Sequence, residues 1–377
     1  MTEYQRRIAA TKIGKAMAWE YAAFRNYKTI EDHIWQAYSE GKTHPDLMSY
    51  TGSLAGKPAI VLGSGPSLDS AVPYLKDWEG AILCGPTQAL VLRYAGITPS
   101  HLFLVDPMNT PKQMGMGVIP WKDTMLVTTP TVNPYIVEGW EGERAYFRII
   151  NPAADIERHI TDMALTWTQF VEKYKPKGED PVWLYMADEQ TIFADSVLTN
   201  VYARSEALHP AKDRLGIRQQ IMHAGCTPNI AILVAAHVFR ADPIFLVGVD
   251  NGFVRGLYRA VNYAVEEGPS WRMLPRGDVS AHPEKDKVFK CNGVATVPQL
   301  FFYNRLLLNM VACSEPADMC VIEAARPGDY GIAGILPKAD IADVVKMQGL
   351  GFKRLRQPRR QRMALYQRWQ EEWKNVG

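Results

Sequence analysis

The sequence has no long hydrophobic run. Although 47% of its 377 residues are hydrophobic, none of its apolar stretches approaches the roughly 20 residues that a helix needs to cross a bilayer. The first twenty residues, MTEYQRRIAATKIGKAMAWE, carry too many charges for a secretory signal peptide. We therefore expect a globular chain with a sizeable core, no transmembrane segment and a cytoplasmic location.

Cysteine is scarce and scattered. Its five positions are Cys84, Cys226, Cys291, Cys313 and Cys320. Their odd number and irregular spacing match neither a disulfide framework nor a set of metal ligands, which favours reduced thiols. The sequence also has no fixed-period repeat and no low-complexity segment. We assign no metal-binding residue from sequence.

The most informative motif is PAIVLGSGPSLD at residues 58–69. Its apolar part has the continuous character of a parallel strand that is buried on both faces. The glycines that follow let the backbone approach a ligand closely, and the serines and proline suit the start of a helix. Because a helix N-terminus presents free N–H groups and a partial positive charge, the motif predicts a phosphate-binding turn. This turn consists of Gly63, Ser64, Gly65, Pro66 and Ser67.

Two better-known glycine motifs are absent from this turn. It lacks the Gly-Lys-Ser/Thr of an ATP-binding P-loop, and Leu68 stands where a dinucleotide fingerprint has its third glycine. A Gly-x-Gly turn at a strand end also occurs in proteins that bind nothing there. The rest of the chain must therefore decide between a tight turn and a ligand site.

Short apolar segments alternate with helical stretches along the chain, which predicts an α/β, Rossmann-like, doubly wound and mostly parallel sheet. The predicted strands are residues 59–62, 81–84, 102–105, 125–128, 182–186, 244–247 and 319–322. We expect an N-terminal helical extension over 1–56, a Rossmann-like domain over 57–350 and a basic helical tail over 351–377.

The tail carries eight basic and two acidic residues, although the whole chain has a formal net charge of only +2. Its basic run over 353–368 could contact nucleic acid, an anionic membrane or an acidic partner. The alternative is a solvated terminal helix that packs on the body through its aromatic and leucine side chains. The sequence favours this second interpretation.

Three turns share a small residue, a proline and a polar residue, a pattern typical of an opening helix. They are Gly65-Pro66-Ser67, Gly85-Pro86-Thr87 and Thr227-Pro228-Asn229. In a doubly wound sheet such turns lie at the carboxyl edge, where ligands bind near the topological switch point. Asp106 and Asp250 end comparable strands, so their carboxylates are expected at the same edge, either in a ligand crevice or as turn caps.

The order of these motifs resembles the 6-hydroxymethylpterin diphosphokinase MptE-like family. This family includes the core domain of motility-associated flagellin glycosyltransferases and is similar in pattern to the bacterial metal-independent sialyltransferases. The resemblance covers about residues 57–335 and rests on the segments IVLGSGPSLD, LCGPTQALVLRYAGITPSHLFLVDP, HAGCTPNIAILVAAHVFRADPIFLVGVDN and MCVIEA.

The resemblance assigns roles to particular positions. Residues 63–67 match the nucleotide-phosphate loop of the family, and Asp250 matches its strand-end acid. A second glycine turn consists of Gly225, Cys226 and Thr227. Where family members usually have an asparagine after the second strand, this chain has Gly85-Pro86-Thr87-Gln88. Gln88 is therefore a candidate substitute for that asparagine in recognition of the base or ribose. The usual Glu-Gly-Gly near the end is replaced by Glu323-Ala324-Ala325.

Between Asp250 and Gln299 lies a polar segment, which we call the lid (about residues 251–298). Its arginines and aromatic side chains suit an anionic ligand that carries a sugar. In the sialyltransferase-like relatives a lid histidine is the general base and tyrosines bind the leaving phosphate. The resemblance therefore makes His282 a candidate base and Tyr258 and Tyr263 candidate phosphate contacts. His223 is a further candidate.

The preferred hypothesis is transfer of a sugar from a nucleotide-sugar donor to a hydroxyl acceptor, with His282, Asp250 and Asp106 as catalytic candidates. A diphosphokinase of the pterin type would instead use ATP and Mg²⁺ held by Asp106 and Asp250. A third hypothesis is a noncatalytic nucleotide-binding protein that joins an assembly. An oligomer of this chain is one such assembly. No firm cofactor follows, and the acceptor class, whether a modified nucleic acid base, a protein or a glycan, stays open.

Overall fold

A computed structural model describes residues 46–150, 220–222, 225–266, 270–274, 277–282, 285–313, 320–334, 336–348 and 351–352, with isolated residues 22, 26, 30, 364 and 367. The predicted strand at 182–186 and nearly all of the predicted basic tail lie outside these residues. Of the predicted N-terminal extension, Ala22, Asn26 and Ile30 are described before residue 46, and all three are helical and buried. Among the described helices, none combines the length and apolarity that a membrane crossing requires.

The described strands are short. They are β1 (Ala59–Leu62), β2 (Ala81–Cys84), β3 (His101–Leu104), β4 (Met125–Thr128), β5 (Arg144–Tyr146), β6 (Arg148–Ile150), β7 (Gln220–Met222), β8 (Ile244–Val247), β9 (Asn262–Val265), β10 (Trp271–Leu274), β11 (Phe289–Cys291), β12 (Val294–Thr296), β13 (Val321–Ala325) and β14 (Lys338–Asp340). The helices are α1 (Ser67–Leu75), α2 (Pro86–Tyr94), α3 (Pro134–Glu138), α4 (Thr227–Leu233), α5 (Pro298–Cys313) and α6 (Ile341–Lys346). A π-helical turn, Val234–Val238, continues α4.

Eight strands form one parallel sheet in the order β14-β13-β8-β1-β2-β3-β4-β5. The chain moves from β1 outward to β5 on one side, and later from β8 outward to β14 on the other. The direction of winding therefore reverses between β1 and β8, which makes the gap beyond their carboxyl ends the topological switch point. The predicted Rossmann-like, doubly wound α/β class is confirmed.

The apolar run of β1 serves two cores at once. Ile60 and Leu62 belong to the cluster that contains the buried side chains of α1, α2 and α6, whereas Ala59 and Val61 belong to the cluster that contains those of α4 and α5. All four residues are fully buried. Since successive side chains of a strand point to opposite faces, a strand covered on both faces must be apolar throughout.

Smaller pairings surround the main sheet. The strands β9 and β10 form an antiparallel hairpin, as do β11 and β12, and both hairpins lie within the predicted lid segment. The first hairpin packs on α2, where the rings of Tyr263 and Tyr94 stack with their centroids 3.7 Å apart. The strands β6 and β7 form a separate parallel pair.

Candidate functional site

A pocket of about 280 Å³ opens at the switch point. The turns after β1, β2 and β8, the start of α4, the lid segment and α5 all contribute to its wall. Lining residues from these parts include Gly65, Thr87, Asp250, Cys226, Tyr258 and Tyr303. Residues from all three sequence-predicted Gly/Thr-Pro turns therefore meet in one cavity, as expected for the carboxyl edge of a doubly wound sheet.

The glycines of the first turn allow two strand ends to interlock. A Cβ on Gly63 would clash with the carbonyl oxygen of Gly248, and one on Gly248 would lie 2.5 Å from the carbonyl oxygen of Gly63. The N–H of Gly65 donates to the carbonyl of Gly248 at 2.7 Å. The sequence predicts that these glycines admit a ligand, and in the structure they line the pocket and also admit the turn after β8.

Asp250 fills the N-terminus of α1 with a carboxylate from the same chain. Its Oδ2 accepts from the Ser67 N–H at 2.9 Å, and its Oδ1 accepts from the Ser67 hydroxyl. Ser67 is buried, and Asp250 is 3% exposed although it lines the pocket. The anion that a helix N-terminus attracts is thus provided internally at this turn.

Burial raises the pKa of Asp250 to about 7. The hydrogen bonds from Ser67 oppose the rise, and the negative charges of Glu323 and Asp329 add to it. Burial also raises the pKa of Glu323 to about 7. Two groups oppose this rise: the Gly331 N–H, which donates to Glu323 Oε1 at 2.5 Å, and the positive charge of Lys338. These two buried carboxyls hold their protons at far higher pH than exposed acids do.

Asp329 joins the lid segment to α1. Its Oδ2 accepts from the Ser70 hydroxyl at 2.7 Å and from Arg255 Nη2 at 2.5 Å. The loop around it also covers the turn after β8, because a Cβ on Gly331 would clash with the backbone of Asp250. The back of the pocket is therefore fixed by contacts from the loop that follows β13.

Gln88 connects the second turn to the first. Its Oε1 accepts from the Gly85 N–H at 2.9 Å, which caps α2, and its Nε2 donates to the hydroxyl of Ser64. Gln88 is buried, so the structure places it as a link between two pocket turns. Pro66, also buried, is the N-cap residue of α1.

Tyr258 and Arg259 form the cationic side of the pocket. The guanidinium carbon of Arg259 lies 4.6 Å from the centre of the Tyr258 ring, and Arg259 Nη2 donates to the Tyr258 hydroxyl at 3.0 Å. His282 lies behind this tyrosine at 3% exposure, with its ring edge-on to that of Tyr258 at 4.5 Å. Arg259 is the only lysine or arginine among the described lining residues.

The other candidates are spread around the pocket or away from it. Cys226 lines the pocket, and Thr227 begins α4 beside it. Gly225 has a φ of +79° and leaves room for the ring of Tyr303. Asp106 is exposed and accepts from the Met108 N–H at 2.8 Å, which is the turn-capping alternative. Tyr263 packs on α2 as described above, and His223 lies outside the described residues.

Two lining residues carry no sequence signal. Leu300 and Tyr303 come from α5, whose sequence PQLFFYNRLLLNMVAC is that of an apolar core helix. The Tyr303 hydroxyl accepts from Gln299 Nε2 at 2.7 Å. The aromatic residue was discoverable only by knowing that α5 lies against α4 at the switch point.

Mg²⁺ requires several oxygen ligands in near-octahedral geometry. Asp250 is the one carboxylate among the described lining residues, and both its oxygens accept from Ser67. Asp106 does not line the pocket. Within the described part of the chain no cluster of three acidic, histidine or cysteine side chains is placed to hold a metal ion. The described residues do not fit a Mg²⁺ site built from Asp106 and Asp250.

The fold and the pocket together define a Rossmann-like α/β protein with a cavity at its switch point. Residues 32–171 match the model of the family described as 6-hydroxymethylpterin diphosphokinase MptE-like. The resemblance seen in the sequence is thereby confirmed for this part of the chain.

A solved structure of the MAf glycosyltransferase from Magnetospirillum magneticum AMB-1 is also similar to the chain, with 15% sequence identity and a TM-score of 0.37. The match covers 94% of this chain and 41% of that one, so this chain spans less than half of its length. No curated protein matches the chain.

Proposed function

We propose that the protein is a transferase that moves a sugar from a nucleotide-sugar donor to a hydroxyl acceptor, with the donor bound in the switch-point pocket. The observation that carries this proposal is the meeting of three helix-opening turns with Arg259 and Tyr258 in one cavity. A guanidinium favours phosphate oxygens, and so does a helix N-terminus, although that of α1 is already occupied by Asp250. The match to the MptE-like family supports a transferase that acts on an activated nucleotide.

The first turn contributes shape more than charge to donor binding. Its N-terminal donors at Ser67 already bond to Asp250. The start of α2 at Thr87 and the Arg259 guanidinium are therefore the groups that would receive the phosphate. As the bond between the sugar and the phosphate oxygen breaks, negative charge grows on that oxygen, and these groups stabilise it.

The acceptor hydroxyl must lose a proton as its oxygen attacks the anomeric carbon of the sugar. Asp250 lines the pocket, and each of its oxygens, which accepts one bond from Ser67, has a second lone pair for the acceptor hydroxyl. With a pKa of about 7, Asp250 is matched to taking up that proton near neutral pH. His282, the base that the family resemblance implies, lies behind Tyr258 and does not line the pocket. We favour Asp250 as the base and retain His282 as the alternative.

A diphosphokinase is the second candidate, and the description of the matching family favours it. It would need ATP and Mg²⁺, and among the described lining residues only Asp250 offers a carboxylate, whereas the ion requires several oxygen ligands. Glycosyl transfer needs no metal if the pocket supplies the positive charge itself. The ion requirement therefore separates the two functions.

The test is a ligand screen by thermal shift and calorimetry with CMP, CDP, UDP, GDP and ATP, each with and without Mg²⁺. A ligand that binds only the folded state raises the unfolding midpoint. We expect at least one sugar-donor nucleotide to bind without Mg²⁺, and release of that nucleotide from its sugar conjugate when an acceptor is present. Binding of ATP alone, and only with Mg²⁺, would favour the diphosphokinase.

A matched pair of variants links the binding to the pocket. Arg259→Gln removes the lining cation, and we expect nucleotide affinity to fall about tenfold or more, the size of one lost charged hydrogen bond. Arg272→Gln removes an exposed arginine that pairs with Glu266 away from the pocket, and it should bind normally. Binding without turnover of any sugar donor or ATP would leave the noncatalytic alternative.

The acceptor and the location in the cell are parts of this proposal that rest on sequence alone. We retain a modified nucleic acid base, a protein or a glycan as acceptor classes, and the cytoplasm as the location. Binding of RNA or DNA through residues 353–368 predicts a strong salt dependence. A protein that lacks residues 353–377, and so keeps the buried Phe352, should then lose that binding and keep its nucleotide affinity.

A further inference from the structure

Asn304 is a buried side chain with no hydrogen-bond partner. It is fully buried, and neither its amide nitrogen nor its amide oxygen has a partner in the structure. Buried polar atoms in folded proteins are nearly always bonded to protein, water or ligand. An amide with both ends unpaired therefore indicates a missing partner that offers one acceptor and one donor.

The position of Asn304 connects it to the pocket. It lies in α5, one residue after Tyr303 and four after Leu300, both of which line the cavity. Residues three or four apart on a helix share a face, so Asn304 continues the face that carries Leu300. Asn304 itself is not among the residues that line the described pocket.

The neighbouring helix leads to the same place. Cys226 and Pro228, at the start of α4, line the pocket. One residue further, Asn229 Nδ2 donates to the carbonyl oxygen of Tyr303 at 3.0 Å, which joins α4 to α5. The two helices thus form one wall that runs from the pocket toward Asn304.

We propose that Asn304 recognises the base of the donor nucleotide, at an inner end of the pocket between α4 and α5. This inference rests on the proposed nucleotide-dependent function and adds the residue that reads the base. A carboxamide offers one acceptor and two donors side by side, the arrangement that pairs with the polar edge of a nucleobase. Tyr303 adds an aromatic face on which a base stacks.

The unpaired amide separates this role from a structural one. A structural asparagine stabilises the free protein through its bonds, whereas Asn304 has none to lose. Replacement of both polar atoms by an apolar group of similar shape is nearly neutral or stabilising when they are unpaired. A residue kept for ligand recognition at a cost in stability behaves in this way.

The experiment uses the full chain with Asn304→Leu and Asn304→Ala, and Asn229→Leu as the matched control. Calorimetry with CMP, UMP, GMP, AMP and ribose 5-phosphate separates recognition of the base from recognition of the phosphate and ribose. We expect the native protein to bind one nucleotide about tenfold or more tightly than ribose 5-phosphate. Both Asn304 variants should reduce this preference to about twofold or less and keep their affinity for ribose 5-phosphate.

Unfolding midpoints complete the test. Asn304→Leu should have a midpoint equal to or above that of the native protein, whereas Asn229→Leu should have a lower one, because it loses its bond to Tyr303. The proposal is overturned if the Asn304 variants keep the base preference, or if Asn304→Leu is destabilised as strongly as Asn229→Leu. If the native protein binds none of the five ligands nor any donor nucleotide, the proposed function itself fails.

Discussion

Ser67 and Asp250 are 183 residues apart in sequence and are joined by two hydrogen bonds at the switch point of the sheet. The serine begins α1 after β1, and the aspartate ends the turn after β8. Their contact therefore fixes the two strand ends between which the pocket opens. It also places a carboxylate with a raised pKa in the pocket wall without leaving its oxygens unpaired.

The Ser67 hydroxyl is expected to contribute to stability through two bonds. It donates to Asp250, and it accepts from the Gly248 N–H at 3.1 Å. Ser67→Ala leaves that buried N–H without its partner, so we expect the free energy of unfolding to fall by about 1–3 kcal/mol. Urea unfolding measures the change. Ser49→Ala, at an exposed position, is the control and should stay within about 0.5 kcal/mol of the native protein.

The stability of the protein is expected to fall as the pH rises toward 7. The pKa of Asp250 and that of Glu323 rise from ordinary values of 3.8 and 4.5 to about 7 in the folded state. Between those values the folded protein binds more protons than the unfolded chain, so the free energy of unfolding decreases with pH and levels off above 7. Each group contributes a slope of up to about 1.4 kcal/mol per pH unit.

Urea unfolding at pH 5, 6 and 7 measures these slopes. Asp250→Asn and Glu323→Gln should each flatten the dependence, because neither amide titrates. Asp123→Asn, at an exposed position, is the matched control and should keep the native slope. A native protein whose stability is constant or rises over this range, with no change in either variant, would contradict the raised pKa values.

Gly63 and Gly117 provide a comparison between steric exclusion and backbone strain. A Cβ at Gly63 meets the backbone of Gly248, whereas Gly117 is exposed with a φ of +83° and open space around it. Gly117→Ala should therefore cost only the strain of the left-handed conformation, about 1–2 kcal/mol. Gly63→Ala forces the turns after β1 and β8 apart, and we expect a loss above about 4 kcal/mol by urea unfolding. Similar losses for the two variants would contradict the interlocked turns.

The main strands were predictable because burial on both faces leaves a continuous apolar run. The strands β1, β2, β4 and β8 have the predicted bounds, β3 begins and ends one residue earlier, and β13 begins two residues later than predicted. The edge strands β5 and β14 were not predicted. Each consists of three residues, of which at least one is charged. An edge strand pairs with a neighbour on one side only and tolerates such charges, so neither strand produces an apolar run in the sequence.

The site was predictable only where a local pattern specifies it. The turns after β1 and β8 carry glycines that close packing requires, and both line the pocket. Asp106 also ends a strand, but β3 is separated from β1 by β2, and each strand adds about 4.8 Å. The strand order, which brings β8 beside β1, depends on contacts between distant parts of the chain and cannot be predicted from any short segment. For the same reason nothing in the sequence of α5 identified Tyr303.

Tyr258 is expected to orient Arg259 for phosphate binding. Tyr258→Phe keeps the ring beside His282 and removes the hydroxyl that accepts from Arg259. Because the tyrosine hydroxyl is the hydrogen-bond partner that fixes the guanidinium, nucleotide affinity should fall severalfold while stability is unchanged. Tyr135→Phe, which removes a hydroxyl from a ring 70% exposed and outside the pocket, should bind normally.

A double-mutant cycle with Arg259→Gln tests whether Tyr258 acts through the arginine. If it does, removing the hydroxyl from a protein that already lacks the guanidinium has little further effect, and the coupling energy is about 0.5–1 kcal/mol. The two losses would add if the hydroxyl bound the phosphate directly. Calorimetry at two salt concentrations provides a second readout, because loss of Arg259 should weaken the salt dependence of binding, whereas Tyr258→Phe leaves the charge in place.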